Sequence, residues 1–194
     1  ESRLAELPVG AEGFPSRYRE PYDRYNQLLG ETLTRESVVL ELGADGGRHT
    51  VRLTGLSDFV LAIDVSSVAL SLLQRRTKYR GRPVCADIEN LPIADSSVDV
   101  VAAAGSLSYG EPAIVDAEIR RVLKPGGSLV IVDSLNGNPI YRLNRWLHCW
   151  RGERTRSTLR RIPDSGRIRD LCQDFETVEL DAYATGNQVL VRRG

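Results

Sequence analysis

Five short apolar runs, SVVLELG, DFVLAIDV, RPVCADI, VDVVAAAG and SLVIVDS, follow one another between residues 37 and 134. Helix-patterned stretches separate all but one neighbouring pair. A half-exposed strand alternates apolar and polar residues, whereas these runs are apolar at nearly every position. That is the pattern of strands covered on both faces. Parallel strands need a crossover of a dozen or more residues, and the intervening stretches supply it. The chain is therefore expected to fold as an open, mostly parallel α/β sheet in three layers.

The intervening stretches carry their own signals. GGRHTVRLTGL reads as a helix, and so does SSVALSLLQRRTKYRG, with Ser66 or Ser67 as N-cap and Gly81 near its end. Glu111 to Leu123 reads as a helix closed by KPGG. Upstream, SRYREPYDRYNQLLGETL reads as an amphipathic helix, with Tyr18, Tyr22 and Tyr25 spaced three to four apart. Pro21 predicts a break or a helix start near it. ETVELDAY and QVLVRR flank the turn ATGN and predict a terminal hairpin that puts an antiparallel strand into the sheet. The sum is a seven-stranded sheet in one domain over 1–194, with an N-terminal helical cap (1–35) and an Arg-rich insertion after the fifth run (134–165).

Charge and cysteine usage narrow the function classes. Net charge is zero, yet residues 141–169 hold nine Arg against Glu153 and Asp164, a segment of +7 that the rest of the chain balances at −7. Such a stretch is either a solvated helix face or a surface that meets an anionic substrate, a phosphate or a headgroup. Few aromatics interleave it (Tyr141, Trp146 and Trp150), which disfavours nucleic acid as a partner. Cys85, Cys149 and Cys172 are far apart and lack metal-ligand spacing, so no metal site is expected and a reducing cytoplasm is. No apolar run reaches the length of a membrane-spanning helix, and ESRLAELPVG lacks the apolar core of a signal peptide.

In open parallel sheets, ligands bind beyond the C-terminal ends of the strands. The first run ends in Glu41-Leu42-Gly43, the second in Asp64, the third in Asp87, the fourth in Ala104-Gly105-Ser106 and the fifth in Asp133-Ser134. Gly43 lets backbone approach a ligand closely. A carboxylate at Asp64, 21 residues after Gly43, can accept both hydroxyls of a ribose. Asp87 can accept from an exocyclic amine, and the Ile88 N–H can donate to a ring nitrogen. Together these describe an adenosine site. A pyrophosphate fits poorly, because Gly43, Gly46 and Gly47 miss the G-x-G-x-x-G spacing and Asp45 places a negative charge in the loop. A P-loop sequence is absent. The loop tolerates a cation better than an anion, and S-adenosylmethionine carries a sulfonium and an ammonium beside its adenosine.

ELGADGGRHT, AIDVSSVAL, ADIENLPIADSSVDVVAAAGSLSY and EIRRVLKPGGSLVIVD, in this order, resemble the class I S-adenosylmethionine-dependent methyltransferases of the small, single-domain kind. The resemblance runs from about Tyr18 to the C-terminus. It implies a Rossmann-like methyltransferase fold with S-adenosylmethionine as cofactor and S-adenosylhomocysteine as product. Glu41, Gly43, Ala44 and Asp45 would line the methionine end, Asp64 would bind the ribose, Asp87 and Ile88 would read the adenine, and Val65 and Ala104 would complete the cofactor-binding set. Asp95 and Asp99 match turn and strand-start positions, and KPGG a structural turn. One departure stands out. The family writes E/D-x-G-x-G-x-G, and Asp45 replaces the middle glycine; Asp tolerates positive φ, so the turn can survive.

The expected reaction is an in-line displacement governed by proximity, with or without a base. Asp133, Tyr109, His49 and His148 are the candidate bases. Tyr18, Tyr22 and Tyr25 and the segment after the fifth run would build the acceptor site, and its Arg content suggests a small anionic acceptor such as a sugar or natural-product intermediate. An RNA or protein acceptor, and a silent cofactor-binding scaffold, remain alternatives; a homodimer also remains open.

Overall fold

The computed structural model describes residues 16–135, 161–173, 175–183 and 187–193, with backbone alone at 16–18 and 187–193. Twelve elements follow in chain order: α1 (Ser16–Thr32), β1 (Val38–Leu42), α2 (Thr50–Leu56), β2 (Phe59–Asp64), α3 (Ser67–Arg76), β3 (Arg82–Cys85), β4 (Val98–Ala104), α4 (Pro112–Val122), β5 (Leu123–Ser134), α5 (Ser165–Cys172), β6 (Thr177–Ala182) and β7 (Asn187–Arg193). The seven strands form one sheet in the order β3-β2-β1-β4-β5-β7-β6. Strands β1 to β5 pair in parallel, and β7 runs antiparallel to both β5 and β6.

Strand pleat sorts the apolar runs onto two faces. Val39, Val60, Val100, Ala102, Val130 and Val132 point to one face and pack with Tyr25, Leu28 and Leu29 of α1 and Leu53 of α2. Leu40, Leu42, Ile63, Val101, Ala103, Leu129 and Ile131 point to the other and pack with Val115, Ile119 and Val122 of α4 and Ile168 and Leu171 of α5. Burial on both faces is why these strands lack polar alternation, and the three-layer expectation holds.

Local differences from the sequence reading have physical causes. Helix α1 runs through Pro21 without a break. The ring removes one N–H, while Pro21 is itself buried and Tyr25, Leu28 and Leu29 behind it hold the helix on the sheet. Helix α2 starts at Thr50 rather than at Gly46, because Gly47 takes φ +79° and the chain must finish a turn first. Ser66 is the N-cap of α3, accepting from the Ala69 N–H at 3.2 Å. KPGG lies inside β5 as a bulge: Leu123 pairs with Val98 and Ser128 with Val100, and Gly126 takes φ +76°. Most of the Arg-rich stretch, residues 136–160, lies outside the described residues, with Tyr141, Trp146, His148 and Trp150. Among the described residues, no helix is long and apolar enough to cross a membrane, and no cluster of His, Cys, Asp and Glu could hold a metal.

Candidate functional site

The strand order reverses between β1 and β4, so a crevice opens at their C-terminal ends. Gly43 stands at that point with φ +67°. A Cβ there would lie 2.6 Å from the Cβ of Ser106, so the β1 and β4 ends meet at a distance only glycine allows. The turn that follows is fixed by its own amides. Ala44 N–H donates to the Ile63 carbonyl at 2.8 Å, Asp45 N–H to the Asp64 carboxylate at 2.9 Å and Gly47 N–H to the Ala44 carbonyl at 2.9 Å. An anion cradle needs such N–H groups unspent and convergent. Here three of them are engaged within the protein, which agrees with the glycine spacing in disfavouring a pyrophosphate.

Asp45 adopts φ +46° and exposes its side chain. The middle-glycine position is thus filled by an Asp in the left-handed conformation, with its amide tied to the next strand end. Asp64 takes two backbone donors, Asp45 N–H on Oδ2 and Ser66 N–H on Oδ1, each at 2.9 Å. A carboxylate has about four lone-pair directions, so acceptor capacity for ligand hydroxyls remains. Val65, beyond it, is exposed. At the end of β3, Asp87 is exposed and caps its own turn by accepting from Glu89 N–H at 2.9 Å, while the Ile88 side chain is buried in the core. Ala104 pairs with Val132 at the end of β4.

Behind the loop lies a group of buried polar side chains. Glu41 is 3% exposed and accepts a 2.5 Å hydrogen bond from the Thr50 hydroxyl of α2. Burial, reinforced by the negative charge of Asp64 and opposed by the Thr50 bond, pushes the Glu41 carboxyl up to about 8. The Tyr25 hydroxyl, on α1, is buried without a hydrogen-bond partner, and so is the Ser106 hydroxyl. Burial and the nearby Glu41 raise Tyr25 well above the ordinary phenol range. His49 stacks on Tyr22 at 5.2 Å and meets Tyr25 edge-on at 5.9 Å. Burial, aided by Arg48, lowers His49 to about 4, so its ring is neutral at pH 7 and a poor proton acceptor.

The Glu41 shift has a consequence for stability. An acid whose folded value lies above its unfolded value binds more protons when folded. Its stabilisation is complete below the unfolded pKa and is lost as pH rises through the folded one. Wild-type protein should therefore lose on the order of 10 °C of Tm relative to Glu41→Gln between pH 5 and pH 8, as read by thermal denaturation of both. Parallel curves for the two proteins would show that Glu41 does not titrate in that range.

The other candidate bases are dispersed. Asp133 is buried, and accepts from Leu107 N–H at 3.1 Å and Ser134 N–H at 2.7 Å, so it clamps the loop after β4 to β5. Tyr109 is exposed on that loop. Asp95 accepts from Arg121 at 2.7 Å, and Asp99 accepts from Val38 N–H at 2.8 Å and from Lys124 at 2.7 Å. Both are structural, as their position in the sequence pattern implied. Thr50 and Ser106 lie within the quoted stretches, ELGADGGRHT and ADIENLPIADSSVDVVAAAGSLSY, yet neither is singled out there as a site residue. Their signal is that each lies at the end of the strand or turn that those stretches implicate.

Comparison with known proteins agrees with this geometry. Residues 40–131 match the family model described as "Methyltransferase domain". The malonyl-[acyl-carrier protein] O-methyltransferase of Alcanivorax borkumensis is 37% identical over 87 residues, covering 44% of this chain and 30% of that protein. A Micromonospora griseorubida protein, provisionally named as a 23S rRNA (guanine-N(1)-)-methyltransferase, is 35% identical over 109 residues, covering 54% of this chain and 34% of that protein. The chain thus spans about a third of the length of these curated relatives. A SAM-dependent methyltransferase structure from Aquifex aeolicus superposes with a TM-score of 0.65 at 16% identity, over 92% of this chain and 93% of that one, and shows the fold. With the strand order, the glycine turn and the acids at the strand ends, residues 40–131 are a methyltransferase domain of the class I S-adenosylmethionine-dependent kind.

Proposed function

We propose that this protein transfers a methyl group from S-adenosylmethionine to a small-molecule acceptor. The observation that carries the reading is the set of carboxylates around one crevice, with Asp64 tied to the glycine turn through Asp45 N–H. The donor set fits the cofactor. Asp64 offers acceptors for ribose hydroxyls, exposed Asp87 an acceptor for an adenine amine, and exposed Asp45 a carboxylate for a cation. When bound, S-adenosylmethionine supplies a methyl group already activated on a sulfonium.

The chain's own task is to bind, orient and exclude water. Gly43 and Ser106 hold the β1 and β4 ends together at the switch point, and Asp133 fixes the loop that follows β4. Tyr22, held by its stack on His49, stands over Gly105, its hydroxyl 3.9 Å from where a Cβ would be. The neutral His49 acts here as an aromatic support rather than as a base.

Asp64→Ala should weaken S-adenosylhomocysteine binding by roughly 1.5–3 kcal/mol, about one charge-assisted hydrogen bond. Titration calorimetry checks it, and unchanged affinity would move the ribose elsewhere. The relative named for rRNA keeps an RNA acceptor as the second reading. Against it, Arg161 and Arg167, two of the nine arginines, are paired with carboxylates of this chain. Salt-dependent retention on RNA would favour the second reading.

A further inference from the structure

Residues 161–167, the described part of the Arg-rich stretch nearest the sheet, meet the loops that follow β3 and β4. Arg161 lies 3.6 Å from the Glu89 carboxylate and 3.3 Å from that of Glu111, and points at the Tyr109 carbonyl at 3.5 Å. Glu89 belongs to the turn after β3. Its amide donates to Asp87 Oδ1 at 2.9 Å, and its carboxylate accepts from Glu111 N–H at 2.6 Å. A Cβ on Gly110 would lie 3.1 Å from Glu89 Cγ and 3.2 Å from Ile88 Cγ1, so the two loops are already in close contact. Arg161 therefore neutralises two acids, one from each loop, that face each other across this contact. Its backbone carbonyl accepts from Arg167 at 3.4 Å, and Arg167 is itself anchored on Asp116. The strap has a firm base and a charged tip.

We infer that Arg161 is a positioning residue for the adenine end of the cofactor site. It acts through Glu89, whose amide sets the Asp87 carboxylate, so that the C-terminal part of the Arg-rich stretch and the cofactor site are energetically coupled. The inference rests on the adenosine reading of Asp87 and Ile88 given above. Its physical basis is that two carboxylates brought together without the guanidinium repel and splay the β3 and β4 loops. The pairs are partly exposed, so the coupling is modest and is screened by salt.

Titration calorimetry of the full chain with S-adenosylhomocysteine, which has no net charge, tests this at low and high sodium chloride. Arg161→Gln should bind about fivefold more weakly at low salt, with Tm little changed. Wild-type affinity should fall on adding salt, that of the variant should rise as the Glu89–Glu111 repulsion is screened, and the two should converge. Arg161→Lys should recover part of the loss, since an ammonium still neutralises one acid. Equal affinities and equal salt slopes for wild type and Arg161→Gln would overturn the inference while leaving the cofactor reading intact. Absence of binding by wild-type protein would overturn both.

Discussion

Arg167→Ala should cost about 3–5 kcal/mol of stability, and urea denaturation should read it as an earlier midpoint. Arg167 donates to both oxygens of Asp116, at 2.7 and 3.2 Å, and to the carbonyls of Leu107 at 3.1 Å and Arg161 at 3.4 Å. The two side chains are only 10% and 11% exposed. Truncation leaves a carboxylate without its partner in a place water scarcely reaches, together with carbonyls that lose a donor. The cost comes mainly from that stranded charge, not from the net worth of the pair. The double variant Arg167→Met/Asp116→Leu should therefore be more stable than Arg167→Ala. A loss under about 1 kcal/mol in the single variant would mean that solvent reaches Asp116 freely.

Gly43→Ala should be damaging in two separable ways. At φ +67° a side chain pays left-handed strain of about 1 kcal/mol, and the new methyl would sit 2.6 Å from the Ser106 Cβ. A Cβ cannot rotate away, so β1 and β4 must part, which adds about 1–3 kcal/mol of overpacking. The expected sum is about 3 kcal/mol, read as a fall in Tm. Because the movement occurs at the switch point, S-adenosylhomocysteine affinity should fall as well. The second variant Gly43→Ala/Ser106→Gly, which removes the obstructing Cβ, should restore part of the Tm but not the strain. Full retention of Tm in Gly43→Ala would show that the two strand ends are not in contact.

The sheet was legible because its strands are buried on both faces, which writes uninterrupted apolar runs such as VVLEL and FVLAID into the chain. The acids at the ends of β1, β2 and β3 were legible for a related reason: in a parallel sheet, strand ends are site positions wherever the chain later goes. The start of α2 was not, since it depends on how Gly47 turns beneath Leu73, whose Cα would lie 2.9 Å from a Cβ there. Pro21 misled because its local cost is outweighed by packing from residues a turn further on. The Thr50–Glu41 bond, the Asp133 clamp and the Arg167–Asp116 pair obey neither period nor motif. The last joins residues 51 apart in sequence, and only the fold brings them together. Asp45 is an intermediate case. Its tolerance of positive φ could be anticipated, whereas the use of its amide to hold Asp64 could not.

On the proposed function, the crevice at the β1–β4 switch point holds an adenosine with a cationic neighbour. Titration calorimetry of the wild-type chain with S-adenosylhomocysteine, with NAD as a control, tests it most directly. One-site saturable heat and a rise in Tm are expected with S-adenosylhomocysteine, and neither with NAD. No heat and no thermal shift with S-adenosylhomocysteine, or tighter binding of NAD, would contradict it.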